Sequence, residues 1–297
     1  MSLLVFILVF TSASLHVTWN ALVKTCHDKV AFAWVTTVLG VMVLGPFFTV
    51  DLLLGTSPLP GEAILFSVIS GIFEALYIIF LFKAYEYSDL SVVYPLSRGI
   101  APIVSMVLAG SMVGDVISMK GMLVVGLIFS GVTAVSLSSL NNNKYNKLNR
   151  LGILMAFCTG CMIAGYHLVD RKAMLTTPRP SAIGYLFFVQ FFMAVFVSLW
   201  AVFLARKTLG SVWIECKENL KGVLIVGIVT PVAYLLIILA LTMGNVTYIV
   251  AGRNIGIVLS TLVGALFLGE KVKGLRLLGA LLIAVGVILL IVVTPGA

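Results

Sequence analysis

Long apolar stretches follow one another along almost the whole chain, separated only by short polar joints. A helix rises about 1.5 Å per residue, so about 20 residues cross a hydrocarbon core ~30 Å thick. In lipid every backbone N–H and C=O must find a partner inside the fold, which leaves helices and closed barrels as the spanning forms. Barrel strands alternate apolar and polar side chains over about ten positions, whereas these runs are continuously apolar. The pattern predicts an all-α polytopic membrane protein. Composition agrees, because 61% of the 297 residues are hydrophobic and 10% are charged, where a soluble domain carries roughly a quarter charged.

Ten spans are expected, at about 2–24, 30–54, 62–87, 90–112, 119–139, 150–174, 181–205, 218–243, 245–268 and 274–294. The sharpest joints are Pro58–Leu59–Pro60, Asn141–Asn142–Asn143, Pro178–Arg179–Pro180 and the charged stretch Arg206 to Lys221; the joint at Gly244–Asn245 is the weakest. The first run reads as a retained helix. A cleaved leader starts with basic residues and ends on a small-residue cleavage site, but no Lys or Arg precedes Lys24, and the run carries His16, Trp19 and Asn20.

The net charge of +8 does not indicate a nucleic-acid partner, since the basic residues are scattered through the joints. Instead it orients the chain. Lys24, Lys29, Lys83, Lys144, Lys147, Arg150, Arg206, Lys207, Lys217, Lys221, Lys271, Lys273 and Arg276 fall on one side of a ten-span topology. Only Lys120, Arg171, Lys172 and Arg179 fall on the other. The positive-inside rule then puts both termini outside. Cys158 and Cys161 form a CxxC within an apolar run, without the second ligand pair that a zinc site needs. No metal or cofactor is implied.

Sliding the chain on itself by 155 residues lays Arg98 on Arg253, Ile100 on Ile255, Ser105 on Ser260, Gly114 on Gly269 and Asp115 on Glu270. Leu123, Leu127, Ile128, Gly131 and Val132 likewise meet Leu278, Leu282, Ile283, Gly286 and Val287. A matched arginine inside a span is rare by chance. The expected organisation is two five-helix repeats, 1–140 and 150–297, joined by a linker at 141–149. Five is odd, so the second copy is inverted relative to the first, a recurrent transporter architecture. Gly110 and Gly114, and Gly252 and Gly256, have the spacing that lets helix backbones approach in lipid.

The joints Gly114–Asp115 and Leu268–Gly269–Glu270–Lys271, with the Gly-rich last helix (Gly279, Gly286), resemble the EamA-type drug/metabolite transporter superfamily. The resemblance extends over both halves. Tyr94–Pro95–Leu96–Ser97–Arg98–Gly99 with Pro102 is similar to the fourth helix of one branch. His16–Val17–Thr18–Trp19–Asn20 and Tyr166–His167–Leu168–Val169–Asp170 resemble its first and sixth helices. The resemblance implies an inner-membrane carrier or exporter with ten helices around a central cavity. Many members begin with basic residues and have cytoplasmic termini; this chain lacks that start.

Charges near mid-membrane cost roughly 2.5–3.5 kcal/mol on insertion scales, so they normally face the bundle interior. Tyr94, Arg98, Pro102 and Ser105 form one polar stripe, and Pro95 and Pro102 each remove a backbone donor that would hold the helix closed. Arg253, with Asn254 beside it, is the counterpart of Arg98. Ser12, His16 and Asn20, with Trp19 at the edge, form a stripe in the first helix; Met162, Tyr166 and Asp170 share a face of the sixth. Substrate contact is expected from Arg98, Arg253, Tyr94, Asn254, His16, Asn20, Trp19 and Tyr166, and proton coupling from Glu74. A structural Glu74–Arg98 pair is the rival reading. Asp170, near a helix end, has a local pair with Arg171 open to it. With Glu74 the one obvious acid for two arginines, the cavity is expected to be positive and its solute anionic.

The chain has no GxxxxGK[ST] loop, which excludes ATP-driven pumping by this chain alone. An integral membrane enzyme would cluster its histidines or acids at one face, whereas the three His stand at 16, 27 and 167. The expected function is a secondary transporter of a small metabolite, working by alternating access in the cytoplasmic membrane. The alternative is a lipid flippase or an accessory subunit of lipid export. The partners implied are a small-molecule substrate and the bilayer, with no nucleic acid; a monomer and a homodimer are both compatible.

Overall fold

The computed structural model describes residues 1–23, 26–55, 60–88, 90–142, 150–267 and 274–293, and among these all regular structure is helical. In order the helices are α1 Leu3–Val23, α2 Lys29–Leu53, α3 Gly61–Tyr87, α4 Leu90–Val113, α5 Met119–Asn142 and α6 Arg150–Met174. They continue with α7 Ala182–Leu199, α8 Leu209–Glu218, α9 Leu220–Met243, α10 Val246–Gly252, α11 Ile255–Phe267 and α12 Gly274–Val293. Among the described residues nine stretches are long and apolar enough to cross a membrane, α10 and α11 together making one; α1 contributes a shorter apolar run, Leu3–Val17. This is a multi-pass membrane protein.

Two features depart from the expected spans. The ninth is split at Arg253–Asn254, between α10 and α11. The charged stretch after α7 is not a plain joint. Trp200–Leu204 extends α7 in a π-helical turn, and Thr208 then caps α8, its hydroxyl accepting from the Ser211 N–H. At ten residues α8 is too short to cross the membrane. Leu209 and Trp213 on it are exposed, four residues apart on one side, as on a helix lying in the headgroup layer. The linker assignment is also shortened: α5 runs to Asn142, and 143–149 lie outside the described residues. So do Gly269 and Glu270, the partners of Gly114 and Asp115 in the repeat.

The packing inverts that of a soluble protein. Leu53, Leu123, Phe203, Leu281 and Val292 point outward, while Glu74, Arg98, His167, Asp170 and Arg253 are buried. The strongest helix contacts are α3 and α4 on α6, α5 on α12, α1 on α9, and α3 and then α2 on α7. Glycine permits the contact of α5 with α12. A methyl placed on Gly131 would sit 2.8 Å from the Gly279 carbonyl oxygen, so the two backbones touch directly.

Candidate functional site

A cavity lies between α1, α2, α3, α6, α7 and α9. His16 lines it from α1; Phe32, Thr36 and Thr37 from α2; Glu74, Tyr77 and Phe82 from α3. Tyr166 comes from α6, Gln190 and Met193 from α7, Thr230 and Tyr234 from α9, and Arg253 from the α10–α11 break. Phe32 is in the first turn of α2 and Phe82 near the end of α3, so the cavity extends toward the face where α2 begins and α3 ends. That face carries most of the lysines and arginines and is called here the basic face; the opposite one, with residue 1, is the terminal face.

Arg253 reaches the cavity because the helix stops there. Its N–H still donates to Ile249 O at 3.1 Å, a helical bond, but Asn254 N–H turns back to Ala251 O, Gly256 N–H to Arg253 O and Ile257 N–H to Asn254 O. Three bonds of the tighter i→i+3 kind interrupt the α-helical ladder. The guanidinium makes one side-chain hydrogen bond among the described residues, from Nη1 to His167 Nε2 at 2.6 Å. Its Nε is buried without a partner. Arginine is always a donor, so His167 Nε2 accepts. The ring proton therefore sits on Nδ1, which donates to Ile163 O at 2.6 Å. His167 is thus held as one neutral tautomer.

Beside Arg253 stands an acid that the sequence reading placed elsewhere. Asp170 is fully buried and accepts from the Tyr185 hydroxyl at 2.8 Å and from the Tyr234 hydroxyl. Glu74 faces the same Tyr234 and lies in the electrostatic neighbourhood of Asp170 and Arg253. Arg171 does not pair with Asp170: its Nη2 binds Asp115 at 3.1 Å and its Nη1 donates to Leu241 O at 2.5 Å. Consecutive residues on a helix point in different directions. Asp170 follows Tyr166 into the core, and Arg171 turns to α9. The count of one acid for two arginines is therefore corrected to two. The face shared by Met162, Tyr166 and Asp170 was the available signal; Tyr185, Tyr234 and Gln190, on otherwise apolar helices, gave none.

Arg98 is buried but does not line the cavity. Its guanidinium carbon lies 5.4 Å from the centroid of the Tyr94 ring, a cation–π contact. Its other electrostatic neighbours are Tyr77, Tyr166 and Tyr85, and among the described residues it makes no ion pair or side-chain hydrogen bond. The Glu74–Arg98 pair of the rival reading is not formed. Tyr166 packs edge-on against Tyr77 and Tyr234 and stacks on His167 at 4.3 Å. His16 lies in the electrostatic range of both arginines. Asn254 is 1% exposed, and neither atom of its amide is hydrogen-bonded among the described residues. Trp19 and Asn20 sit on α1, and their side chains lie outside the described residues.

The profile of the EamA-like transporter family matches residues 150–292. No curated protein matches the chain. A crystal structure described only as that of a protein shares the fold with a TM-score of 0.73 at 16% identity, covering 99% of this chain and 98% of the other. Over residues 150–292 the chain is similar to a family of membrane transporters.

Both faces of the helical bundle carry polar ties. On the terminal face Asp115 accepts from Arg171 and, at 2.8 Å, from the Val246 N–H, while Asn245 Nδ2 donates to Val116 O at 3.3 Å. These bonds join the α4–α5 joint to the ends of α6 and α9 and the start of α10. On the basic face Lys207 Nζ meets Asp28 at 2.5 Å, and Asp28 N–H donates to Glu215 Oε2 at 2.8 Å, tying α2 to α8.

Proposed function

We propose that this chain moves a small metabolite with an anionic group across the cytoplasmic membrane by alternating access, driven by an ion gradient or by exchange. One observation carries the reading. Arg253 lines the cavity while making a single side-chain hydrogen bond, to a neutral histidine. No carboxylate comes within ion-pair distance of it among the described residues. A carboxylate or phosphate entering the cavity would find the Nη2–Nε edge of the guanidinium, the edge that His167 does not engage, for bidentate binding. Tyr77, Tyr166 and Phe32 give the rest of the solute an apolar wall. Glu74, on the wall beside Arg253 and close to Asp170, is the candidate proton carrier: two near carboxylates repel unless one holds a proton.

The division into five-helix repeats belongs to the same proposal. Exchanging the halves converts α1 on α9 into α6 on α3, and α6 on α4 into α1 on α10 and α11; α2 on α7 and α5 on α12 map onto themselves. A rocking motion between such halves exposes a central site to each side in turn.

A thermal-shift screen of the purified protein tests the anion. Succinate and inorganic phosphate are expected to raise the melting temperature where choline and glucose do not. Arg253→Lys, which keeps the charge and loses the fork, is expected to weaken the effective anion about tenfold. Stabilisation by choline or glucose alone would end the anion reading.

A further inference from the structure

The two matched arginines occupy different environments, and the backbone under each differs in the same sense. Under Arg253 the span is broken, and the guanidinium enters the cavity. Under Arg98 the helix is continuous, and the buried guanidinium stays off the cavity lining, with the lining residues Tyr77 and Tyr166 among its electrostatic neighbours. Yet α4 is already weakened at this point. Pro102 stands four residues after Arg98 and has no N–H, so the Arg98 carbonyl lacks its helical donor. The next residue, Gly99, is the one that best tolerates a change of backbone angles.

Depth points the same way. Arg253 follows seven residues of α10 from the terminal face, about 10 Å. Arg98 is the ninth residue of α4, about 12 Å from the basic face. A cavity extending toward the basic face thus has Arg253 on its floor. A cavity extending toward the terminal face would have Arg98 on its floor. Across the terminal face runs the Asp115–Arg171 tie with its bonds to Val246 and Leu241.

Resting on the anion reading above, we propose that Arg98 is a second anion-binding position, used in turn with Arg253. When the Asp115–Arg171 tie releases, α4 breaks at Arg98–Gly99 and presents Arg98 to the terminal face. At the same time the α10–α11 break closes and withdraws Arg253. The anion is handed from one guanidinium to the other, and each repeat takes the backbone form that its partner had.

Hydrogen exchange of the full-length protein in detergent, without added ligand, tests the hand-over. Asp115→Asn and Arg171→Gln each cut the tie; either one that elutes and melts as a folded protein serves, and Asp115→Ala is a third route to the same cut. Peptides covering 98–101 are expected to exchange about tenfold faster than in the wild type, and those covering 253–257 more slowly. In parallel, phenylglyoxal read by peptide mass should modify Arg253 in the wild type and Arg98 once the tie is cut. Unchanged protection at 98–101 in the folded variants overturns the proposal. Anion stabilisation of the wild type is measured separately, so its presence beside unchanged exchange would sink the hand-over and leave the anion reading standing.

Discussion

Arg98 and Arg253 stand on matched segments, and the segment with prolines is the one that stays helical. α4 contains Pro95 and Pro102 and runs unbroken from Leu90 to Val113. Its counterpart contains no proline and breaks at Arg253–Asn254. Proline removes a donor and so marks where a helix can yield, but whether it yields depends on what the opened groups would meet. Gly99 is held against α5, where a methyl on it would lie 2.8 Å from Val132 Cγ1. A methyl on Gly256 would have room, its nearest contact outside its own helix being the Ala13 carbonyl oxygen at 3.7 Å. Tight packing keeps α4 straight; looser packing and a histidine partner let the other segment bend.

The largest effect is expected at Asp170, the acid that distinguishes the surroundings of Arg253 from those of Arg98. Asp170→Ala strands the hydroxyls of Tyr185 and Tyr234 in the core. It should destabilise the protein by about 3 kcal/mol, seen as a lower melting temperature or loss of folded material on size exclusion. Wild-type stability in this variant would mean that the two tyrosines find other partners and that the acid does not set the two arginines apart. A smaller change of opposite sign is expected at the break itself. Asn254→Ala removes a buried amide with no bond among the described residues and adds a better helix former. A gain of about 1 kcal/mol should follow, with transport slowed if the amide serves the solute. Loss of stability there would show that Asn254 is bonded in another state of the cycle.

The least effect is expected outside the core. Asp28 caps α2 and binds Lys207. Burial pushes its carboxyl up, but the Lys207 ammonium and the Ala31 and Val30 N–H groups outweigh this and hold it below the usual carboxylate range. Its contribution is complete above that range and fades as pH falls through the lowered value. Lys207→Ala should cost under about 1 kcal/mol at neutral pH, because such pairs are screened, and the difference from wild type should shrink in acid. A difference that grows as pH falls would contradict the assignment.

Much of this was legible before any coordinates. Length and apolarity announced the spans to within a few residues, because the bilayer is a ruler that every segment must match. The inward stripes of His16, Tyr166 and Glu74 were readable too, since lipid tolerates few polar groups. The partners of the arginines were not. Asp170 is polar at a helix end, and only its neighbours on α7 and α9 reveal that it points inward. Helix α8 was hidden for the opposite reason. Its residues Lys217 and Glu218 look like a joint, and only its Thr208 cap and its Leu209–Trp213 side make it an interfacial helix.

The depths of the two arginines also have an electrical meaning. Arg253 lies about 10 Å from the terminal face and Arg98 about 12 Å from the basic face. Between them remain about 8 Å of a core ~30 Å thick, roughly a quarter of the voltage drop. One elementary charge crossing 100 mV exchanges about 2.3 kcal/mol with the field. A monovalent anion passed between these two positions would exchange about a quarter of that, so the membrane potential would favour one of them as its resting place.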